Sequence, residues 1–495
     1  MSFPIVGSFS ADLVTKINAE RTINLYEIFD PSGKKDKYLA PWPGKKNFES
    51  FVRGGTMRAA FVFKEFVYFV VADTIYRMDS SLVITIIGDQ ILATLVGHVG
   101  IAANEKQVIF VDNNKAVLWD TSTSTLTDPV VLPAGVIPLD VTFMDGYFIL
   151  VSSGVNTQNQ FLISNLNDGI TWAAADFALT NARPTVLSAC SVLKRRLFLF
   201  GETKSEIWLD AGAADFPFRR DNNLLLEHGV LARSSITEGF DRMFYLSNDE
   251  DGVGGVMMVI GTSPQKVSSR EVDETIQTFT QPEDAEGFVF KINGQIFYQL
   301  NFTTDDRTFI YNANTDRWHE AQMIDGSRDI ATAHSYFFNK HYVGSYNTNI
   351  LYELSENFYS NQIEDNNIEK IKRIRIARVF STPTYNRIRI DRLWVDMLQG
   401  IGLSKTKGLS YFPFPPFPQS AADVDPVIFL SISEDGGISY HNFGSAPIGP
   451  SGQSLVRTMW HKLGARRDAI IKLETTTSLP IYILGAAIDY EGSPE

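Results

Sequence analysis

The chain has 495 residues, 44% of them hydrophobic and 20% charged, and a formal charge of −13. That length exceeds what one compact core organises, so a large repeat fold with an added domain, or two to three domains, is expected. The acidic balance argues against wrapping nucleic acid by neutralising phosphates. The single cysteine, Cys190, excludes an intrachain disulfide and reads as a small buried hydrophobe within "VLSACSVL".

In chain order, "MSFPIVGSFSADLVTK" has no basic stretch ahead of an apolar core, so no secretory signal is expected. No apolar run reaches the roughly 18 residues of a membrane-spanning helix. Residues 1–52 read as an N-terminal arm and first strand, whose "INLYEIF" segment, Ile23–Phe29, is expected to pair with a late strand.

From Arg53 to Glu356 short apolar strands recur in similar groups. "RAAFVFKEFVYFVVADTIYRMD" carries three strands with turns at Lys64-Glu65 and Ala72-Asp73, and "VGIAANEKQVIFVDNNKAVLWDT" repeats the plan. Five further groups follow, beginning near Asp140, Val186, Ser234, Gly287 and Ile330. A period of roughly 40–50 residues with three to four strands per group predicts the blades of a β-propeller, six to seven in number. The physical reason for the repeat is burial: one small twisted sheet cannot cover its own faces, whereas sheets packed in a ring can. "DGVGGV", Asp251–Val256, reads as a hairpin tip rather than a phosphate-binding loop.

Past Glu356 the texture changes. "NFYSNQIEDNNIEKIKRIRIARVF" turns polar and then basic and alternating, like a domain junction, and residues 357–495 read as a β-sandwich-like domain. The fold class is therefore all-β, with circular dichroism expected to show less than about a quarter helix. In "KIKRIRIAR", Lys370–Arg378, a strand would point Arg373 and Arg375 to one face and Ile374 and Ile376 to the other. The plain reading is a half-buried strand with a solvated basic face; the sharper one is a charged contact with an acidic surface of another subunit. A Phe/Pro-rich stretch, Gly408–Ser420, interleaves Tyr411, Phe412, Phe414 and Phe417 with four prolines, which prevents ladder pairing. Left in water it would expose a large apolar patch, so it is expected to dock on a neighbouring subunit or tail component, or else to fold back on its own domain.

Chemistry is sparse. The seven histidines show no helical metal spacing and no cysteine cluster joins them, so neither a metal nor a cofactor is expected. "SEDGGISY" places Ser433, Asp435, Gly437 and Tyr440 at the spacing of the aspartate box of propeller sialidases and related glycosidases. Asp435 can accept backbone hydrogen bonds in its own turn, and Gly436 and Gly437 tolerate positive φ, so a structural hairpin turn, with Ile438 and Tyr440 returning along its buried face, is the simpler reading. A poorer copy is "NLNDGITW", with Asn167, Gly169 and Trp172. A propeller glycosidase rests on that spacing alone, and a lectin-like receptor-binding protein on the aromatic content. No residue is assigned a catalytic role.

The order of motifs resembles the tail-hub, or nozzle, family of short-tailed bacteriophages, also called packaged-DNA stabilisation proteins. "ERTINLYEIFDPSGKKDKYLAPWPGKK" resembles the family's opening, through Arg21, Asn24, Leu25, Tyr26 and Pro43-Gly44. "DAGAADFPFRRDNNLLLEHGVLARSSI" and "VIGTSPQKVSSREVDETIQTF" resemble its central blades, and "RIDRLWVDMLQGIG" to "YILGAAIDYE" its closing domain. The Phe/Pro-rich insertion departs from the pattern. The resemblance implies a structural virion protein, made in the host cytoplasm and not an enzyme. It implies a ring, usually a homohexamer, below the portal and adaptor rings. Such a ring retains packaged DNA, conducts it during ejection and anchors spikes or fibres and a plug or needle. Genomic DNA would pass without tight binding, so the lumen is expected to be neutral to negative, with Arg373 and Arg375 away from it at a subunit contact.

Overall fold

A computed structural model describes the chain except residues 17, 34, 181–185, 214, 251, 365–366, 382–385, 403–424, 454 and 493–495, and leaves out the side chains of 222, 223 and 225. Seven antiparallel sheets follow one another along the chain. The first runs through Met57–Phe63, Phe66–Val71, Thr74–Met78 and Ile84–Gly88, paired in that order. Equivalent sheets start at Gly100, Pro138, Leu187, Thr237, Glu286 and Ala331. Their second strands are nearly continuous buried runs, mostly apolar, because a blade's middle is covered on both faces by its neighbours. "QVIFVD" and "FVYFVV" are buried almost throughout.

The packing closes on itself. Tyr68 meets Phe110 between the first two blades, and Leu118 meets Phe148 in the next junction. Phe161 and Leu197, Phe200 and Tyr245, Phe244 and Tyr298, and Phe290 and Tyr352 continue the series. Tyr342 with Phe69 then joins the seventh blade to the first. The protein is a seven-bladed β-propeller.

The seventh blade owes its fourth strand to the other end of the chain: Gly44–Ser50 pairs antiparallel with Ile350–Ser355. The ring thus takes in residues expected to belong to the N-terminal arm. Gly44 is required there, since a Cβ would lie 2.2 Å from the Ser360 carbonyl oxygen. Lys45 Nζ reaches Asp329 Oδ2 at 2.7 Å, both side chains buried. Ser360–Glu364 and Asn367–Lys370 extend the same sheet beyond Glu356.

The remaining strands form two facing sheets. One orders Leu25–Phe29, Lys37–Pro41, Ile483–Gly492, Ile388–Met397 and Thr458–Arg466, with Ser2–Phe3 alongside Ile483–Gly492. The other orders Arg21–Ile23, Arg373–Ile376, Asp468–Thr475, Val427–Ser433 and His441–Pro447. Leu393, Val395 and Ile488 from the first meet Leu430, Ile471 and Leu473 from the second in one core, a β-sandwich. Of Ile23–Phe29, Ile23 pairs late, opposite Ile374, whereas Leu25–Phe29 pairs with the nearby Lys37–Pro41, whose Leu39 lies opposite Ile483. Arg21–Ile23 also runs parallel to Arg317–Glu320, so sandwich and sixth blade share a continuous sheet. The only α-helix among the described residues is Arg270–Gln277, capped by Ser269.

Candidate functional site

The motif around Arg21 sits on that shared sheet. Arg21 donates to both oxygens of Glu320, at 2.7 and 2.9 Å, and Arg307 grips the same carboxylate. The two guanidiniums hold the buried Glu320 carboxyl below its usual range against the opposing effect of burial. Asn24 takes a left-handed φ of 55° and donates to the Gln322 and Lys372 carbonyls, both at 2.8 Å. Leu25 enters the sandwich core, while Tyr26 packs edge-on to Trp42 and Phe297. Arg21, Asn24 and Tyr26 therefore fasten the sandwich to the propeller.

The Ser433 stretch is a turn. Ser433 Oγ donates to Asp435 Oδ1 at 2.7 Å and accepts from the Gly437 amide at 2.8 Å. Asp435 accepts from the amides of Ile438 and Ser439 and from Ser439 Oγ. Gly436 and Gly437 have φ of 82° and 90°. The return strand starts only at His441, so Ile438, expected on the buried face, is exposed. The Asn167 copy is structural as well: Trp172 Nε1 donates to the Gly169 carbonyl, and Gly169 N donates to Gln107 of the second blade.

The hydrogen bonds that Asp435 accepts, those from Ser439 first, hold its carboxyl well below the usual carboxylate range. Its contribution to the turn is full above the ordinary aspartate range and is lost as pH falls through the depressed value. The amides of Ile438 and Ser439 should therefore stay protected from hydrogen exchange at pH 4 and lose protection well below it. An Asp435→Ala protein should lack that protection at neutral pH.

Arg373 and Arg375 are not on a solvated face. Their side chains are buried, and the four residues Arg373–Ile376 lie in the interior. The N-terminal arm covers Arg375, which donates to the carbonyls of Ile5 and Ser8 and to Thr22 Oγ1, and pairs with Glu20. Arg373 donates to the carbonyls of Thr477 and Tyr359; burial pulls its guanidinium down to about 10. Neither is available to a second subunit. Tyr411, Phe412, Phe414 and Phe417 lie outside the described residues. The stretch does belong to a hairpin: Asp249 lies opposite Gly252, and Gly254 and Gly255 sit on the returning strand Gly252–Ile260. Cys190 is buried, its thiol raised by desolvation.

The propeller axis was not anticipated. At one end Arg233, on the turn entering the fifth blade, donates to Asn113 Oδ1 of the second blade at 2.7 Å and to the Leu139 carbonyl at the head of the third. Beside it Arg58 pairs with Asp112 at 2.9 Å and donates to the carbonyls of Ala72, Thr94 and Gly97. His98 Nε2 lies 3.1 Å from Asp140 Oδ1. Side chains bonded across the axis leave a cavity of about 270 Å³, bordered by Arg58, Glu238, Glu286 and His334 among others. These bonds tie the second, third and fifth blades together at that end of the axis.

Glu238 is exposed to this cavity, and desolvation by the surrounding protein raises its carboxyl to about 7. Burial raises Glu286 to about 7 as well, and its Oε2 has no hydrogen-bond partner. A hydrolytic pair needs environments that push one carboxyl up and leave the other ionised. Here one cause moves both the same way. Among the described residues no group of three His, Cys, Asp or Glu side chains converges on a metal position. Nor is any helix long and apolar enough to cross a membrane.

The architecture is a seven-bladed propeller joined to a β-sandwich through the opening motif around Arg21 and Asn24. A family model described as "Bacteriophage P22 Gp10, beta-propeller" matches residues 1–359. The chain belongs to this tail-hub, DNA-stabilisation family of short-tailed bacteriophages, a family of structural phage proteins. No curated protein matches the sequence. Among solved structures, the computationally designed Ika8 protein is similar over 62% of this chain and 98% of its own, at 12% identity and a TM-score of 0.35.

Proposed function

We propose that the chain is the subunit of a tail hub. Several copies, six as is usual in the family, form a ring beneath the portal and adaptor. Their shared lumen retains the packaged genome and conducts it at ejection, and the ring carries spikes or fibres and a plug or needle. Family membership over residues 1–359 is the observation that carries this reading. The side chains bonded across one end of the propeller axis support a DNA path between subunits rather than through one. The charge of −13 supports a lumen that repels phosphate. We further propose that the Phe/Pro-rich stretch around Tyr411–Phe417 contacts a neighbouring subunit or tail component.

The protein acts as a conduit and not as an enzyme. Its assembled ring should bind duplex DNA negligibly at physiological salt. Binding that falls steeply with salt, with a slope of about −0.9 per phosphate contact, would mark a phosphate-gripping wall instead and contradict the reading.

A further inference from the structure

We propose that the end of the propeller channel away from Arg233 is a socket for a basic side chain, lysine or arginine, of a partner protein. The innermost strands all start at the Arg233 end and run toward the opposite mouth. Along them, Ala60, Glu238, Val289 and His334 border the cavity. With a strand's two-residue period, Val62, Lys291 and Tyr336 follow on the same face, and Phe240 follows Glu238 at the turn. Phe240 is 47% exposed and Tyr336 52%. Strand direction thus places the exposed Phe240 and Tyr336 beyond a cavity whose wall carries Glu238 and Glu286.

That combination suits a cation. Aromatic faces attract ammonium and guanidinium groups, and a desolvated carboxylate gains most from a charge it can pair with. Glu286 Oε2 is buried in the cavity wall without a hydrogen-bond partner, and Glu238, exposed to the same cavity, makes no ion pair among the described residues. The neighbouring charges do not satisfy them. Arg58 is committed to Asp112, and Arg328, which acts on Glu286 from a distance, stacks over Tyr346. Asp284 adds further negative charge near Glu286. His334 is held neutral by burial and by His341, and His98 faces Asp140. Lys291 is the cation at the rim, exposed to solvent. DNA is a poor occupant, because its phosphates would meet two carboxyls.

Placing the partner in a phage tail rests on the hub reading, but the socket does not. The test therefore uses the isolated full chain, titrated by NMR with acetyl-Gly-Arg-Gly-amide and with its Gln counterpart. Binding of the Arg peptide is expected, at least about tenfold tighter at pH 8.5 than at pH 5.5, because a carboxyl raised to about 7 must ionise to pair. Glu238→Gln, at an exposed position in the cavity wall and so no threat to the fold, should weaken it about tenfold. Tyr336→Ala at the exposed rim should weaken it less. Equal binding of the two peptides, or unchanged affinity in Glu238→Gln, would overturn the proposal. So would self-association of the wild-type chain that Glu238→Gln abolishes, since the basic side chain would then belong to a second copy.

Discussion

Replacing Arg375 by methionine should cost about 3–5 kcal/mol, the usual penalty for breaking a buried ion pair by removing one partner. The guanidinium is fully buried and serves several acceptors at once: the carbonyls of Ile5 and Ser8, Thr22 Oγ1 and the Glu20 carboxylate. Methionine fills much of the volume but strands these groups, and each orphaned buried acceptor costs about 1–3 kcal/mol. Lysine should rescue little, because a single ammonium cannot reach acceptors spread around a planar fork. The arm leans on this side chain directly: a Cβ at Gly7 would lie 2.5 Å from Arg375 Nη2. Denaturant unfolding should show the loss, and hydrogen exchange should show residues 1–23 freed while the blades stay protected. A change below about 1 kcal/mol would mean that the arm is held by its apolar contacts, Phe3 and Ile5, instead.

The second large effect concerns ring closure. Lys45→Ala leaves Asp329 charged and buried in the seventh blade, again at a cost of about 3–5 kcal/mol. Asp329 is otherwise held by the Ala331 amide at 2.9 Å and, at 3.4 Å, by Gln299 of the sixth blade. The lost contact frees the closing strand, and with it the junction between seventh and first blades. Lys45→Met combined with Asp329→Asn should recover most of the stability, since no unpaired charge remains. A double-mutant cycle measures the coupling directly. Exchange protection should fall first in Gly44–Ser50 and Ile350–Ser355. Equal losses from the single and double replacements would show that backbone pairing, and not the ion pair, closes the ring.

The blades were legible because burial on both faces writes itself into sequence: runs such as "FVYFVV" and "QVIFVD" between short turns have few other solutions. The closing strand was not. "GKKNFES" is polar and basic, and its partner lies some three hundred residues away, so nothing local marks Lys45 as buried. Arg373 and Arg375 misled for the same reason. Alternation assigns them a common face, but whether that face meets water depends on an arm 370 positions earlier in the chain. The carboxyls of the channel escaped notice because Glu238 is one of 57 acidic residues, distinguished only once the register of the fifth blade is known. The hydrogen bonds of the turn at Ser433 were readable from its own side chains, since Ser433, Asp435 and Ser439 lie within six residues, but the exposure of Ile438 was not, because the return strand starts only at His441.

Electron cryomicroscopy of purified virions tests the central claim most directly. The account predicts a closed ring of these propellers on the tail axis, with DNA density in the lumen shared by the subunits and none along the axis of any single propeller. Finding the chain away from the tail axis, or absent from the virion, would contradict it.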